Sequence, residues 1–220
     1  VAVILNIDAD HLEFFKTIDN LIASFTKFAS LTRDTVIYNG DDKKTVRAIS
    51  PVENKKFITF GLSNTNDWYA ENVSYINGAF PCFDLMYHGE KKARVELMVP
   101  GEHNIINALA AIAAAVDAGA DINSAVKALS EFGGAGRRFE ILGKYNNITI
   151  ADDYAHHPAE LSVTLNSAKK MNYNNVWAVF QPFTFSRTYM LLDDFADVLK
   201  IADRVVLTEI MGSREVNTYD

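Results

Sequence analysis

The chain has 220 residues, 49% of them hydrophobic, a formal net charge of −7 and a single cysteine, Cys82. This length allows one or two domains with substantial cores, while the negative charge argues against broad binding to nucleic acid and the lone cysteine excludes a disulfide within the chain. Because the sequence shows neither a membrane-length apolar stretch nor a secretory signal, we expect a cytoplasmic protein that does not enter a membrane.

The first 60 residues predict strands that alternate with helices. Residues 1–7 are an apolar run typical of a buried strand, and apolar residues at helical spacing follow within residues 14–25. Two further short strands are predicted at residues 35–38 and 56–60, each ended by Gly or Asp. This alternation indicates an α/β fold.

The next part of the chain changes to a β-rich pattern and then to helices. Apolar and polar residues alternate over residues 68–100 around a turn at Gly89, which predicts a small antiparallel meander. An Ala-rich helix is predicted over residues 103–119 and a shorter helix over residues 122–132. We interpret residues 1–132 as one domain.

Three polar residues, Asp8, Asp10 and His11, follow the first predicted strand. Ligands bind outside the carboxyl ends of strands in open α/β sheets. Carboxylate oxygens suit Mg²⁺, although an imidazole is a less common ligand of this hard cation. The three residues are therefore candidates for a divalent metal site, and ordinary surface turn residues are an equally weighted alternative.

The predicted 103–119 helix begins with two asparagines that are three positions apart. At this spacing Asn104 and Asn107 lie on one face, near the positive end of the helix dipole. A carboxamide offers a donor and an acceptor, as in its contacts with adenine edges elsewhere. The pair is a candidate adenine site, and the alternative is that Asn104 only caps the helix.

Residues 133–136 read Gly-Gly-Ala-Gly and interrupt the helical pattern. Glycines can cradle phosphate, but a Walker loop requires Lys followed by Ser or Thr, and here Arg137 and Arg138 follow. Three glycines in four positions are more simply explained by a hinge. We expect this hinge to divide the chain into domains of residues 1–132 and 133–220, with both arginines reaching into the cleft between them.

The second domain contains the densest cluster of reactive side chains. An apolar run at residues 148–151 is followed by Asp152-Asp153-Tyr154-Ala155-His156-His157-Pro158. This pattern predicts a strand whose carboxyl end leads into a helix that begins at Pro158, which is where ligands bind in α/β sheets. A structural alternative is that His157 caps the helix and Asp152 closes a turn.

Two further strands are predicted at residues 175–180 and 204–207, with a helix between them. The order strand, helix, strand, helix, strand implies parallel crossovers, so that the carboxyl ends of all three strands would lie along one rim. Arg187 follows the second of these strands and would face the same cleft as His156 and His157. Its guanidinium suits a phosphate or a carboxylate, and a solvated surface arginine is the alternative.

Five segments that follow one another along the chain resemble, in their order and spacing, the Mur ligases, which are ATP-dependent ligases of peptidoglycan synthesis. Two of them carry the motifs Asp-Asp-Tyr-x-His-His-Pro at 152–158 and Phe-Gln-Pro at 180–182 followed by Ser-Arg-Thr at 186–188, and this pair favours the alanine-adding member of the family. The other three segments are residues 6–11, 101–111 and 137–140. Each is weak alone, but five in the correct order and spacing across nearly all 220 residues are a strong signal.

The resemblance implies a fold for each part of the chain. Residues 1–132 would be the second half of a central mononucleotide-binding ATPase domain with a small antiparallel meander. Residues 133–220 would be most of a Rossmann-like C-terminal domain with a mostly parallel sheet. The family's phosphate loop and uridine-nucleotide domain would lie upstream of Val1, so we expect the chain by itself to be inactive. Phe183 stands where relatives often carry His, and no imidazole is available at that position.

The resemblance also implies a reaction. ATP would phosphorylate the carboxylate of UDP-N-acetylmuramate, and the amine of L-alanine would attack the acyl phosphate to form an amide. Tyr154, His156 and Arg187 would surround L-alanine and the reacting acyl centre. In the ATP site, His11 would be a Mg²⁺ ligand, and Asn104 with Asn107 would contact the adenine. Arg138 and Asp153 would meet ATP phosphate or ribose.

Three other functions remain open at this point. The first is another Mur-type ligase, and the second is a metal-dependent hydrolase built on Asp152, Asp153, His156 and His157. The third is a nucleotide-binding domain without catalysis. Metal retention by residues 133–220 alone would support the hydrolase, and ATP dependence would count against it.

Overall fold

The computed structural model describes residues 1–9 and 12–219, in which strands and helices alternate along much of the chain. The strands are β1 (Ala2–Ile4), β2 (Thr35–Asn39), β3 (Lys56–Gly61), β4 (Trp68–Ile76), β5 (Phe80–Tyr87), β6 (Glu90–Glu96), β7 (Glu140–Tyr145), β8 (Ile148–Asp152), β9 (Trp177–Phe180) and β10 (Arg204–Leu207). The helices are α1 (Leu12–Phe15), α2 (Ile18–Leu31), α3 (Lys43–Ile49), α4 (His103–Asp117), α5 (Ile122–Glu131), α6 (Pro158–Lys170), α7 (Phe185–Met190) and α8 (Leu192–Leu199).

Strands β1 to β6 form one mixed sheet in which the strand order follows the chain. The pairs β1–β2, β2–β3 and β3–β4 are parallel, whereas β5–β6 is antiparallel. Helix α4 packs on β2 and β3, and its Ile105, Leu109 and Ile112 are fully buried. The expected α/β fold is confirmed, and this sheet is mostly parallel with an antiparallel strand pair, β5–β6.

Strand β1 is shorter than the apolar run at residues 1–7 predicts. Its register with β2 ends where Ile4 faces Tyr38. Ile7 lies beyond the strand but remains buried, and its backbone amide donates to the Asp42 carboxylate at 3.4 Å. Burial alone therefore accounts for the apolar character of Ile7, since a buried residue need not belong to a strand.

The helical region predicted within residues 14–25 is divided into α1 and α2. Lys16 has a left-handed φ of 68°, which is incompatible with a continuous helix. The Thr17 hydroxyl accepts a hydrogen bond from the Asn20 amide at 3.2 Å and caps the start of α2. The apolar spacing gave the helical period correctly but did not show this interruption.

Helix α4 runs back along strand β3. Asp117, at the last position of α4, pairs through its carboxylate with Lys56 Nζ at the start of β3, at 2.7 Å. A helix of 15 residues is about 22 Å long, which is close to the length of a six-residue strand, about 20 Å. The first turn of α4 therefore lies towards the carboxyl ends of β2 and β3. Helices α4 and α5 both fall within their predicted ranges.

An ion-pair cluster joins β5 and β6. The Asp84 carboxylate lies 2.9 Å from Lys91 Nζ and 3.0 Å from Arg94 Nη1, and it accepts a hydrogen bond from Asn72 Nδ2 at 2.9 Å. The hydrogen bond from Lys91, followed by that from Asn72, lowers the pKa of Asp84 from 3.8 to about 2. Asp84 is therefore ionised throughout the neutral range.

The chain folds into two compact units. The first unit consists of Val1–Ser74, Pro81–Met98 and Glu102–Phe132, and the second unit consists of Tyr75–Phe80, Val99–Gly101 and Gly133–Asp220. Residues 133–136 lie in neither a helix nor a strand, and Gly134 has a left-handed φ of 104°. A hinge at residues 133–136 stays a prediction.

The second unit contains two separate two-stranded sheets, β9–β10 and β7–β8. The predicted parallel pairing of β9 with β10 is confirmed. The prediction that β8 continues this parallel sheet is wrong within the described residues, because β8 pairs antiparallel with β7. Asn146 and Asn147 have positive φ values of 44° and 64°, and they form the two-residue turn of this hairpin. The first partner of β8 is therefore its neighbour in sequence.

A small apolar core joins α6, α8 and β9 in the second unit. Its buried residues are Leu161, Leu165, Val176, Ala178, Phe180, Phe195, Val198 and Leu199. Because Phe180 packs against Phe195 with a ring separation of 5.3 Å, the end of β9 is fixed, and so is the start of the loop that carries Arg187. None of the described helices has the length and apolar character needed to cross a membrane.

Candidate functional site

Arg137 brings the start of the second unit against the motif that follows β8. Its Nε lies 3.1 Å from Asp152 Oδ2, its guanidinium lies 4.7 Å from the centre of the Tyr154 ring, and its carbonyl accepts the Tyr154 amide at 2.8 Å. Arg137 and Phe139 both have left-handed φ values, 58° and 48°. Such strain costs about 1–3 kcal/mol per residue and is concentrated at functional sites. In addition, the Arg137 guanidinium holds the Tyr154 ring by a cation–π contact.

Asp153 fixes the backbone around this cluster. Its half-buried carboxylate accepts hydrogen bonds from the Phe139 amide at 2.8 Å, the Ala155 amide at 2.8 Å and Thr164 Oγ1 at 3.1 Å. A carboxylate offers about four acceptor positions, so little of this capacity is left for a ligand. The predicted contact of Asp153 with ATP stays a prediction, and its structural role is directly visible.

His156 and Arg138 are both held by one carboxylate, that of Glu160. Glu160 Oε2 accepts the His156 amide at 3.0 Å and lies 3.5 Å from His156 Nδ1, while Oε1 lies 3.7 Å from Arg138 Nη1. His156 Nδ1 also lies 2.9 Å from the Tyr154 carbonyl. A carbonyl can only accept, so we assign the proton of the neutral ring to Nδ1, which leaves Nε2 as the acceptor.

His157 has the structural role given as its alternative. Its Nδ1 accepts a hydrogen bond from the Ala159 amide at 3.3 Å and caps α6, which begins at Pro158 as predicted. In the part of the chain that the structure describes, no group of three or more His, Cys, Asp or Glu residues could hold a metal ion. Asp152, Asp153, His156 and His157 each face different partners, so these four side chains do not form one metal site.

Arg187 lies on the loop and helix that follow β9, and its contacts are separate from those of His156. The backbone at Thr184 has a φ of 65°, which is rare for a β-branched residue. Thr184 Oγ1 accepts the Arg187 amide at 3.4 Å, and the half-buried Arg187 lies close enough to Glu215 that its charge contributes to lowering the pKa of Glu215. The shared cleft of Arg187 and His156 stays a prediction.

The carboxyl ends of β2 and β3 form a second polar region, in the first unit. Asp41 follows β2, and its carboxylate accepts hydrogen bonds from the Leu62 and Ser63 amides at 2.6 and 3.1 Å and from Asn66 Nδ2 at 2.9 Å. A Cβ atom on Gly61 would clash with the Asp41 carboxylate. Asp41 therefore ties the loops after the two strands together, a role that no pattern in the sequence indicated.

The two asparagines lie at this same edge, in the first turn of α4. Asn107 Nδ2 donates to Asn104 Oδ1 at 2.9 Å, so the two side chains share one face as predicted. The alternative that Asn104 caps α4 is wrong, because the cap position is Glu102 and no side chain makes a capping hydrogen bond there. Their role as adenine contacts stays a prediction.

Only part of the candidate metal site lies within the described residues. Asp10 and His11 fall outside them. Asp8 Oδ1 lies 3.1 Å from Lys44 Nζ and accepts the Ala9 amide at 2.9 Å. Its carboxylate oxygens have the chemistry that Mg²⁺ prefers, and in this structure Asp8 forms an exposed ion pair with Lys44. His11 as a metal ligand stays a prediction.

Comparison with known families covers both units. The family model for the Mur ligase middle domain matches residues 1–115, and that for the Mur ligase glutamate ligase domain matches residues 137–218. The chain belongs to the Mur ligase family. It spans about half the length of the curated relatives that it matches.

Several similar relatives share one name. The UDP-N-acetylmuramate–L-alanine ligase of Caldanaerobacter subterraneus subsp. tengcongensis is 42% identical over 99% of this chain and 48% of its own length. That of Clostridium novyi is 46% identical over 99% of this chain and 47% of its own length. The crystal structure of the enzyme of this name from Thermotoga maritima is 32% identical with a TM-score of 0.76, over 96% of this chain and 46% of that one.

Proposed function

We propose that the chain is the middle and C-terminal part of an ATP-dependent ligase that joins UDP-N-acetylmuramate to L-alanine through an acyl phosphate, in the cytoplasm, during peptidoglycan synthesis. The observation that carries this proposal is 42–46% identity, over 99% of the chain, to ligases of this name. Residues 1–132 would be the second part of the central ATPase domain and residues 133–220 the C-terminal domain.

The ATP site would use Asn104, Asn107, Arg138, Asp153 and His11. Asn104 and Asn107 suit an adenine edge, because their joined carboxamides lie at the carboxyl edge of the sheet. Arg138, which is exposed and paired with Glu160 at 3.7 Å, suits a phosphate. A ribose hydroxyl can donate to the remaining acceptor position of Asp153. Mg²⁺, held in part by His11, would neutralise phosphate charge when it is bound.

The acyl-transfer site would use Tyr154, His156 and Arg187. The fork of Arg187 matches the carboxylate of L-alanine. The L-alanine ammonium must lose a proton before it can attack, and Nε2 of His156 would accept it when the ring proton lies on Nδ1. The new C–N bond then forms as the bond between the acyl carbon and the phosphate oxygen breaks, and inorganic phosphate leaves.

Phosphate release by the full-length protein tests this function. We expect release to require ATP, UDP-N-acetylmuramate and L-alanine together, and to fall to background when any one of them is omitted. Replacement of L-alanine by D-glutamate should abolish release. Equal release with D-glutamate, or release without any amino acid, would contradict the proposal and favour another Mur-type ligase or an ATPase.

A further inference from the structure

The segment that follows β10, residues 208–215, runs beside the loop that carries Arg187. The Thr208 amide donates to the Phe180 carbonyl at 3.1 Å, the Met211 amide to the Pro182 carbonyl at 2.9 Å, and the Thr184 amide to the Met211 carbonyl at 3.0 Å. The parallel pairing of β9 with β10 therefore continues past the ends of both strands. The 208–215 segment holds the Arg187 loop along its length.

Glu215 ends this segment and reaches the first turn of α7. Its Oε2 accepts the Ser186 amide at 2.9 Å, and its Oε1 accepts the Ser186 hydroxyl at 2.6 Å. These hydrogen bonds, together with the nearby positive charge of Arg187, lower the pKa of Glu215. The carboxylate thus binds Ser186, the residue that precedes Arg187, at both its amide and its hydroxyl.

Helix α7 needs such an anchor because it cannot hold its own position. It has six residues and none of them is fully buried, and a helix this short is unstable by itself. Its entry is strained at Thr184. At Gly212 any side chain would clash with the Phe185 ring, so the segment packs tightly against the start of α7.

We propose that Glu215 is a positioning residue for Arg187. By fixing the Ser186 amide and hydroxyl, its carboxylate sets the direction in which Arg187 presents its guanidinium to the carboxylate of the amino-acid substrate. The proposal rests on the proposed function, since it takes Arg187 as the group that binds this carboxylate. Glu215 itself does not touch the substrate.

Kinetics of the full-length enzyme separate positioning from a general structural role. Loss of a hydrogen bond to a charged group is worth about 10-fold or more in affinity, so Glu215→Gln should raise the L-alanine KM about 10-fold and leave the ATP KM unchanged. Because Glu215 acts through Arg187, Glu215→Gln should add little to Arg187→Ala in the double variant. Asp193→Asn, which removes an exposed carboxylate of the same unit, is the matched control and should leave both KM values unchanged.

Hydrogen exchange gives a readout that does not depend on activity. In the 220-residue chain, Glu215→Gln should lower the protection of amides within residues 184–190 and leave that of β9 unchanged. An inactive wild-type enzyme would refute the proposed function and, with it, the substrate role of Arg187. An active enzyme in which Glu215→Gln changes neither the L-alanine KM nor this exchange would overturn the positioning role alone, as would equal losses for every substrate with a lower melting temperature.

Discussion

Thr45 offers a direct test of the packing at the start of α3. Its side chain is fully buried, and Oγ1 is the one buried side-chain nitrogen or oxygen within the described residues that has no hydrogen-bond partner. Burying an unpaired hydroxyl costs about 1–3 kcal/mol. Valine has nearly the same shape and keeps the backbone hydrogen bond from residue 45 to Asp42 Oδ1, which is 2.7 Å long. We expect Thr45→Val to stabilise the first unit by about 1–2 kcal/mol.

Urea unfolding followed by the fluorescence of Trp68, which is buried in the same unit, measures this change. A gain of this size corresponds to about 2–8 °C in melting temperature for a chain of this length. Thr45→Ser is the matched control, because it keeps the hydroxyl and loses the methyl group, and it should destabilise the unit by about 1 kcal/mol. If Thr45→Val is the less stable protein, the hydroxyl has a partner and the reasoning fails.

Three further predictions concern charge, the hinge and the acyl-transfer site. Asp84 has a lowered pKa, so its contribution to stability is complete above its unfolded pKa and is lost as the pH falls from about 4 towards about 2; Asp84→Asn should flatten acid unfolding over that range, and an unchanged profile would contradict this. Gly134→Ala should lower turnover of the full-length enzyme, because φ is 104° at this position and an alanine would be strained there. Gly133 has open space around it, so Gly133→Ala should leave turnover unchanged, and equal effects of the two substitutions would refute the hinge. Arg187→Ala should raise the L-alanine KM about 10-fold or more, and combination with His156→Ala should be less than additive; normal kinetics with equal losses in melting temperature would make both residues structural.

The sequence predicted the elements whose patterns are long or regular. The Ala-rich helix α4 and the apolar strands β9 and β10 were all predicted close to their observed bounds. Helix α3 was not predicted, because seven residues give too short a pattern to recognise. The hairpin β7–β8 was missed because its turn is Asn146-Asn147, and asparagine, which tolerates positive φ, gives a weaker turn signal than glycine.

The candidate site was predictable in its residue types but not in its contacts. Tyr154 and His156 stand out because they lie in a dense motif. Arg137, Glu160 and Glu215 gave no comparable signal, since their importance comes from partners that the fold brings close. Ser186 is 29 positions from Glu215, and no local pattern indicates that the two meet. Sequence spacing predicted which reactive side chains are present, whereas the packing of the fold determines which other side chains position them.

Transfer of ¹⁸O tests the central claim most directly. The full-length enzyme would be given UDP-N-acetylmuramate labelled with ¹⁸O in its carboxylate, together with ATP and L-alanine, and the released phosphate would be analysed by mass spectrometry. An acyl phosphate passes one carboxylate oxygen to the phosphate that leaves, so we expect one ¹⁸O atom in each phosphate formed. Without UDP-N-acetylmuramate, no phosphate should be released. Unlabelled phosphate, formed at the rate of amide product, would contradict the account.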